Sequence, residues 1–140
     1  EGLTDRNQLV LEKDGVKYVN DSKATNVDAA LNSILQYNNI RLILGGLAKK
    51  GGISKLTKHM NQVKKIYLIG DAAKDFSSEL KGTVETEISK TLEVAVTSAT
   101  NDSAPGDCIL LAPACASFDQ FKDFEERGKK FISLVENLKN

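Results

Sequence analysis

The chain lacks an excess charge: 19 Lys and Arg stand against 19 Asp and Glu in 140 residues. A balanced surface offers no field to recruit nucleic acid or an anionic membrane. The basic pairs Lys49-Lys50, Lys64-Lys65 and Lys129-Lys130 are dispersed and read as solvated faces. No apolar run approaches the roughly 20 residues that cross a bilayer, and no signal peptide is recognisable. A cytoplasmic protein without nucleic-acid or membrane partners is therefore expected. Cysteine is scarce too. Cys108 lies in an apolar run and Cys115 in a loop, a spacing that suits no zinc site, so reduced thiols are expected. The one histidine, His59, falls on a polar helical stretch and reads as a surface residue, not a ligand or base. No metal site is expected. The first residues, Glu1-Gly2-Leu3, include no Met, which suggests a piece of a longer protein.

Nucleotide motifs are missing as well. Gly46-Leu47-Ala48-Lys49-Lys50-Gly51 comes near a P-loop, but Gly52 and Ile53 stand where Lys and Ser/Thr are needed to meet phosphate and Mg²⁺. No G-x-G-x-x-G follows a strand-like run, which argues against a dinucleotide site.

What is present is an alternation of elements. Residues 8–13 and 16–20 read as two strands around Asp14-Gly15, a hairpin signal. Helical runs are expected at about 26–37, 53–62, 72–80 and 89–99. Strand-like runs lie between them at 41–44, 65–69, weakly at 83–88, and at 107–111. The last helix is expected to start near Ser117, with Phe121, Phe124, Gly128, Phe131, Val135 and Leu138 at helical spacing. Apolar strands alternating with helices predict an α/β fold of one domain, residues 1–140. Its sheet is mostly parallel, with helices on both faces and the N-terminal β-hairpin at the edge. Such sheets bind ligands beyond the carboxyl ends of their strands. That rule gathers Asn20–Asn26, Gly45–Gly52, Gly70-Asp71 and Ala112–Ser117 on one edge.

The richest of these loops is Asn20-Asp21-Ser22-Lys23-Ala24-Thr25-Asn26. It joins a β-branched strand to an amphipathic helix and carries a carboxylate, two hydroxyls, two side-chain amides and an ammonium. Helix N-termini offer free N–H groups and a positive dipole end to anions. Thr25 with Asp28 also fits a capping box. Capping explains Thr25 but not Lys23, whose charge opposes the dipole. Ser117 with Gln120 forms a second capping-box pattern. Ser117 reads equally as an N-cap or as a hydroxyl offered to a ligand carboxylate.

The heptapeptide resembles the segment that opens the C-terminal domain of the D-glutamate-adding Mur ligases. Leu110-Leu111-Ala112-Pro113-Ala114-Cys115-Ala116-Ser117-Phe118-Asp119-Gln120-Phe121, continuing to Arg127-Gly128, is similar to a second segment of that family. The likeness runs from Gly2 to the C-terminus. It implies a three-domain enzyme of which this chain is the third domain, the N-terminal and central domains being its partners in the same chain. By resemblance, Lys23 is the catalytic group and faces the phosphate of an acyl-phosphate intermediate or of ADP. Thr25 meets the D-glutamate α-carboxylate. Lys49 holds a D-glutamate carboxylate, with Lys50 an alternative in that register. Ser117 and the Phe118 backbone bind the side-chain carboxylate, and Phe124 packs nearby. Arg6 and Asp21 lie against the nucleotide. From the residues alone, Phe124 is core and Arg6 a surface charge.

The implied reaction joins D-glutamate to UDP-N-acetylmuramoyl-L-alanine with ATP, in a monomeric enzyme that uses Mg²⁺ bound outside this chain. The alternatives are another Mur-type or folylpolyglutamate-type ligase domain, or a stand-alone α/β module that senses an amino acid or nucleotide.

Overall fold

The Asp14-Gly15 turn reverses the chain between β1 (Gln8–Lys13) and β2 (Val16–Asn20), which pair antiparallel. The computed structural model describes residues 4–48 and 50–139. From β2 onward the chain alternates. α1 (Val27–Ile34) leads to β3 (Ile40–Gly45), and α2 (Ser54–Thr57) leads to β4 (Val63–Ile69). α3 (Ala73–Leu80) leads to β5 (Glu85–Lys90), and α4 (Leu92–Asp102) leads to β6 (Cys108–Leu111). α5 (Phe124–Glu136) and a 3₁₀ turn (Asn137–Lys139) close the fold.

The six strands lie in the order β1-β2-β6-β3-β4-β5. Every pairing except β1 with β2 is parallel. The expected α/β sheet with an antiparallel hairpin edge is thus the fold observed. Handedness distributes the helices. Steps from β2 through β5 run one way across the sheet, and right-handed crossovers put α1, α2 and α3 on one face. The step from β5 back to β6 reverses, so α4 crosses the other face, where α5 joins it. Two cores result. Ala30, Ile34, Leu56, Phe76 and Leu80 pack one face with Leu42, Leu44, Ile66 and Leu110. Leu92, Val96, Phe131 and Val135 pack the other with Ile43, Tyr67, Ile69 and Ile109.

Several boundaries differ from expectation. α1 stops at Ile34 because Gln36 and Tyr37 turn inward to bond Ser33 O and Ile34 O, tightening the last turn. α2 is a single turn, since β4 already begins at Val63, and Val63 N–H bonds Met60 O. β5 and α4 are displaced toward the C-terminus because Thr91 is the N-cap, accepting from Val94 N–H at 3.2 Å. His59 is exposed, and Cys108 is buried with its thiol pushed up to about 12 by that burial, so it stays protonated and inert. Among the described residues no helix is long and apolar enough to cross a membrane, and no His, Cys, Asp or Glu cluster could hold a metal ion.

The amino end of the sheet is clamped by Asp107, just before β6. Its carboxylate accepts from Arg41 Nε at 2.9 Å, Lys64 Nζ at 2.6 Å and Ala104 N–H at 3.1 Å. Burial works to raise this carboxyl, but Lys64, the Ala104 amide and Arg41 together hold it below its ordinary value. Asp107→Ala should lower the unfolding free energy by about 2–3 kcal/mol at neutral pH, the range for charged hydrogen bonds. Because the folded value is the lower one, this stability is present above the ordinary carboxylate range (~4) and is lost below it. The gap between wild type and Asp107→Ala, measured by denaturant unfolding, should therefore shrink toward pH 2–3. A gap independent of pH would disprove the clamp.

Candidate functional site

The five parallel strands β2 to β6 end on one edge, as the fold requires. Between β2 and β6 the exits diverge: the loop after β2 enters the α1 face and the loop after β6 enters the α5 face. This is where an open α/β sheet leaves a crevice.

The loop after β2 is ordered by its own polar groups. Asn20 is buried, and its Oδ1 accepts from Ser22 N–H at 3.1 Å. Asn20 Nδ2 donates to Asp5 Oδ1 at 2.8 Å and to Gln8 Oε1 at 3.0 Å. Lys23 N–H reaches Asp5 O at 3.0 Å, so the lead-in before β1 packs against this loop. That contact depends on Gly128 in α5. A Cβ there would lie 1.8 Å from Asp5 Oδ1 and 3.2 Å from Asn20 Nδ2.

Thr25 is not the helix cap. Asn26 takes that place, in extended backbone at φ −143°, with Oδ1 accepting from Ala29 N–H at 2.8 Å. The helix starts one residue later than expected, and Thr25 stays in the loop with its N–H on Lys23 O at 2.8 Å. Ser117 is not a cap either. Its carbonyl heads a turn, accepting from Gln120 and Phe121 N–H at 3.0 and 2.8 Å. α5 begins seven residues later with Asp123 as N-cap, accepting from Glu126 N–H at 2.9 Å. Glu126 Oε1 accepts from Lys122 N–H at 2.8 Å, so the true cap also carries an acid three residues on. The Ser117 hydroxyl is buried and has no hydrogen-bond partner among the described residues.

A cavity of about 490 Å³ gathers Arg6, Asp21, Lys23, Thr25 and Phe124, together with Asn7 and Ser33. Five of the expected site residues are thereby brought together. Lys23 Nζ stands 5.3 Å from the centre of the Phe124 ring, within cation–π range. Burial raises the Asp21 carboxyl above its ordinary value, against the opposing pull of Ser33, the Asn7 amide and Arg6. A second cavity, about 370 Å³, is lined by Lys50, Gly52, Phe76 and Ala114, and shares Asn26 with the first. Lys49 lies outside the described residues. Ser117 and Phe118 sit on the same edge, but neither lines either cavity. Among the described residues Phe118 is the most exposed large apolar one, at 66%.

One residue without an expected role holds the two loops together. Arg127 of α5 is 1% exposed, donating from Nε to Ser22 Oγ at 2.9 Å and from Nη2 to Ser22 O at 2.7 Å. Its Nη1 donates to Cys115 O at 3.0 Å. Burial pushes the guanidinium down to about 10, so it remains charged at neutral pH. The signal was in the sequence: Arg127 stands on the apolar stripe, three residues after Phe124 and four before Phe131. Arg127→Lys supplies a point charge where a planar fork is needed. It should lower the unfolding free energy by about 2–4 kcal/mol, since buried carbonyls lose their donors. An unchanged denaturation midpoint would remove Arg127 from this role.

Comparison with known proteins places these features in a family. The profile described as "Mur ligase, glutamate ligase domain" matches residues 5–115. The UDP-N-acetylmuramoylalanine--D-glutamate ligase of Cereibacter sphaeroides is 49% identical over 138 residues, covering 99% of this chain and 30% of its own length. That of Ruegeria pomeroyi is 50% identical over 135 residues, covering 96% of this chain and 28% of its own. The chain thus spans under a third of the curated relatives it matches. Among solved structures, E. coli FolC in complex with ADP superposes with a TM-score of 0.66 at 17% identity, covering 99% of this chain and 33% of FolC. That likeness concerns the fold. The family match and the close relatives are decisive: the chain belongs to the Mur ligase, glutamate ligase domain family.

Proposed function

We propose that this chain is the C-terminal, amino-acid-presenting domain of a three-domain, cytoplasmic, monomeric ligase that adds D-glutamate to UDP-N-acetylmuramoyl-L-alanine in peptidoglycan synthesis. In the proposed reaction the muramoyl-peptide carboxylate accepts the terminal phosphoryl group of ATP, and the D-glutamate amine then displaces phosphate to form the amide. Mg²⁺ and the P-loop belong to the preceding domains. Catalysis of this kind is mainly positioning and charge stabilisation.

The observation that carries this reading is the cavity in which Arg6, Asp21, Lys23, Thr25 and Phe124 converge. Its donor set fits the ligands. Lys23 and Arg6 supply cations for phosphate, and Asp21, raised by burial, is an acceptor for a nucleotide hydroxyl. Lys23 is the catalytic cation, its ammonium steadied over Phe124. Thr25, with no capping duty, offers its hydroxyl to the D-glutamate α-carboxylate. The buried Ser117 hydroxyl, without a hydrogen-bond partner among the described residues, and the Phe118 N–H take the side-chain carboxylate, and Lys49, or Lys50 in the alternative register, holds a D-glutamate carboxylate. The near-50% identity to ligases named for D-glutamate supports that amino acid over others.

In the full-length enzyme, Ser117→Ala and Lys49→Ala each remove a charge-assisted hydrogen bond of roughly 1.5–3 kcal/mol. The KM for D-glutamate should rise about ten- to a hundredfold, at ~1.4 kcal/mol per decade. The KM for the muramoyl substrate should move far less, and equal rises for both would contradict the assigned roles.

Residues 1–140 alone should show no ligation, because no P-loop occurs in the sequence and the second wall of the pocket is supplied by other domains. Exposed ion pairs contribute only ~0–1 kcal/mol each, so D-glutamate should bind at about 1 mM or weaker. Phosphate release with all three substrates and an NMR titration check both points. Turnover by the fragment, or micromolar D-glutamate binding, would point to a self-sufficient enzyme or a sensor instead.

A further inference from the structure

The turn from Ser117 to Phe121 is fastened to three other strand ends. Leu47 N–H, just past β3, bonds Ala116 O at 2.9 Å. Gln120 Nε2 donates to Lys90 O, at the end of β5, at 2.7 Å. Asp71 N–H, just past β4, donates to Asp119 Oδ2 at 2.9 Å. The last contact has room made for it. Gly70 has φ +71°, and a Cβ there would lie 2.4 Å from Asp119 Oδ2 and 2.8 Å from Gly46 Cα. Any side chain at position 70 would push the carboxylate away.

The other oxygen, Asp119 Oδ1, is buried without a hydrogen-bond partner among the described residues, as is Ser117 Oγ two residues before it. A buried, unsatisfied carboxylate oxygen destabilises the turn that holds it. A turn with a purely structural duty gains nothing from that arrangement. A turn that must present one hydroxyl in one orientation gains a rigid tie at the position next to Phe118.

We propose that Asp119 is a positioning residue for amino-acid recognition. By accepting the Asp71 N–H it locks the 117–121 turn against the end of β4, so that the Ser117 hydroxyl and the Phe118 N–H keep one direction. Asp119 itself touches no substrate. The proposal rests on the reading of Ser117 and Phe118 as the D-glutamate carboxylate site.

The test uses full-length enzyme carrying Asp119→Ala or Asp119→Asn, with KM measured separately for D-glutamate, ATP and the muramoyl substrate. Asparagine keeps an acceptor oxygen for Asp71 N–H, and alanine does not. Asp119→Ala should raise the KM for D-glutamate about tenfold, because a small misplacement of a binding group is costly. The other two KM values should stay within about twofold, and Asp119→Asn should return the D-glutamate KM to within about threefold of wild type. Three results overturn the proposal: an Asp119→Ala enzyme with unaltered D-glutamate KM, a parallel rise in all three KM values, or asparagine as impaired as alanine. Unsubstituted enzyme without D-glutamate-dependent phosphate release would overturn the functional reading and this proposal together. Normal wild-type turnover with any of the three results overturns this proposal alone.

Discussion

The carboxyl edge of this sheet depends on one buried cation. The loops after β2 and β6 leave toward opposite faces, so the crevice between them tends to open. Two backbone bonds cross it, Asp21 N–H to Leu111 O at 2.9 Å and Ala114 N–H to Ala24 O at 2.8 Å. Arg127 adds three more from below, to Ser22 Oγ, Ser22 O and Cys115 O. Its partners are neutral oxygens, so its charge is not cancelled at contact. Asp5 and Asp119 act on it only through space. A positive charge beneath two loops rich in hydroxyls and N–H groups raises the local potential for anions, where Lys23 and Arg6 already raise it from above. The same guanidinium therefore serves the fold and biases the site.

The opposite end of the sheet solves its charge problem differently. There the buried Asp107 is met by two cations, Arg41 and Lys64, and a backbone amide. Both oxygens of that carboxylate are partnered. The contrast follows from where loops go. At the amino ends the turns are short and the ions pair with each other. At the carboxyl ends the loops after β2, β3 and β6 are longer, and Ser117 Oγ stays buried without a partner among the described residues.

Much of this was legible in the sequence, for identifiable reasons. β3, β4 and β6 are buried on both faces, so they read as continuous apolar runs. Their order, with helices between, is what places the loops after β2, β3, β4 and β6 on one edge. The helix starts were misread where two capping patterns compete. Thr25 and Asn26 are both good caps, and only the backbone geometry decides for Asn26. Ser117-Gln120 imitates a capping box, but its turn is held by strands β3, β4 and β5, and tertiary bonds override the local pattern. Arg127 had a visible anomaly, a charge on an apolar stripe, yet its acceptors lie 12 and 105 residues away in sequence. No local rule reaches that far.

The displaced start of α5 has a consequence for the site. Had the helix begun at Ser117, Phe124 would sit two turns inside it as core. Instead Phe124 is the first helical residue, half-buried, with its carbonyl accepting from Ser22 Oγ at 2.7 Å and its ring beneath Lys23. The helix start thus places an aromatic face where the β2 loop carries its ammonium. The contact is exposed enough to contribute only ~0.5–1 kcal/mol, too little to matter for stability. It is enough to bias the flexible lysine side chain toward the cavity it lines with Arg6 and Asp21. The ring works on the orientation of the ammonium, and placing charged groups is one of the main ways a protein site favours a reaction.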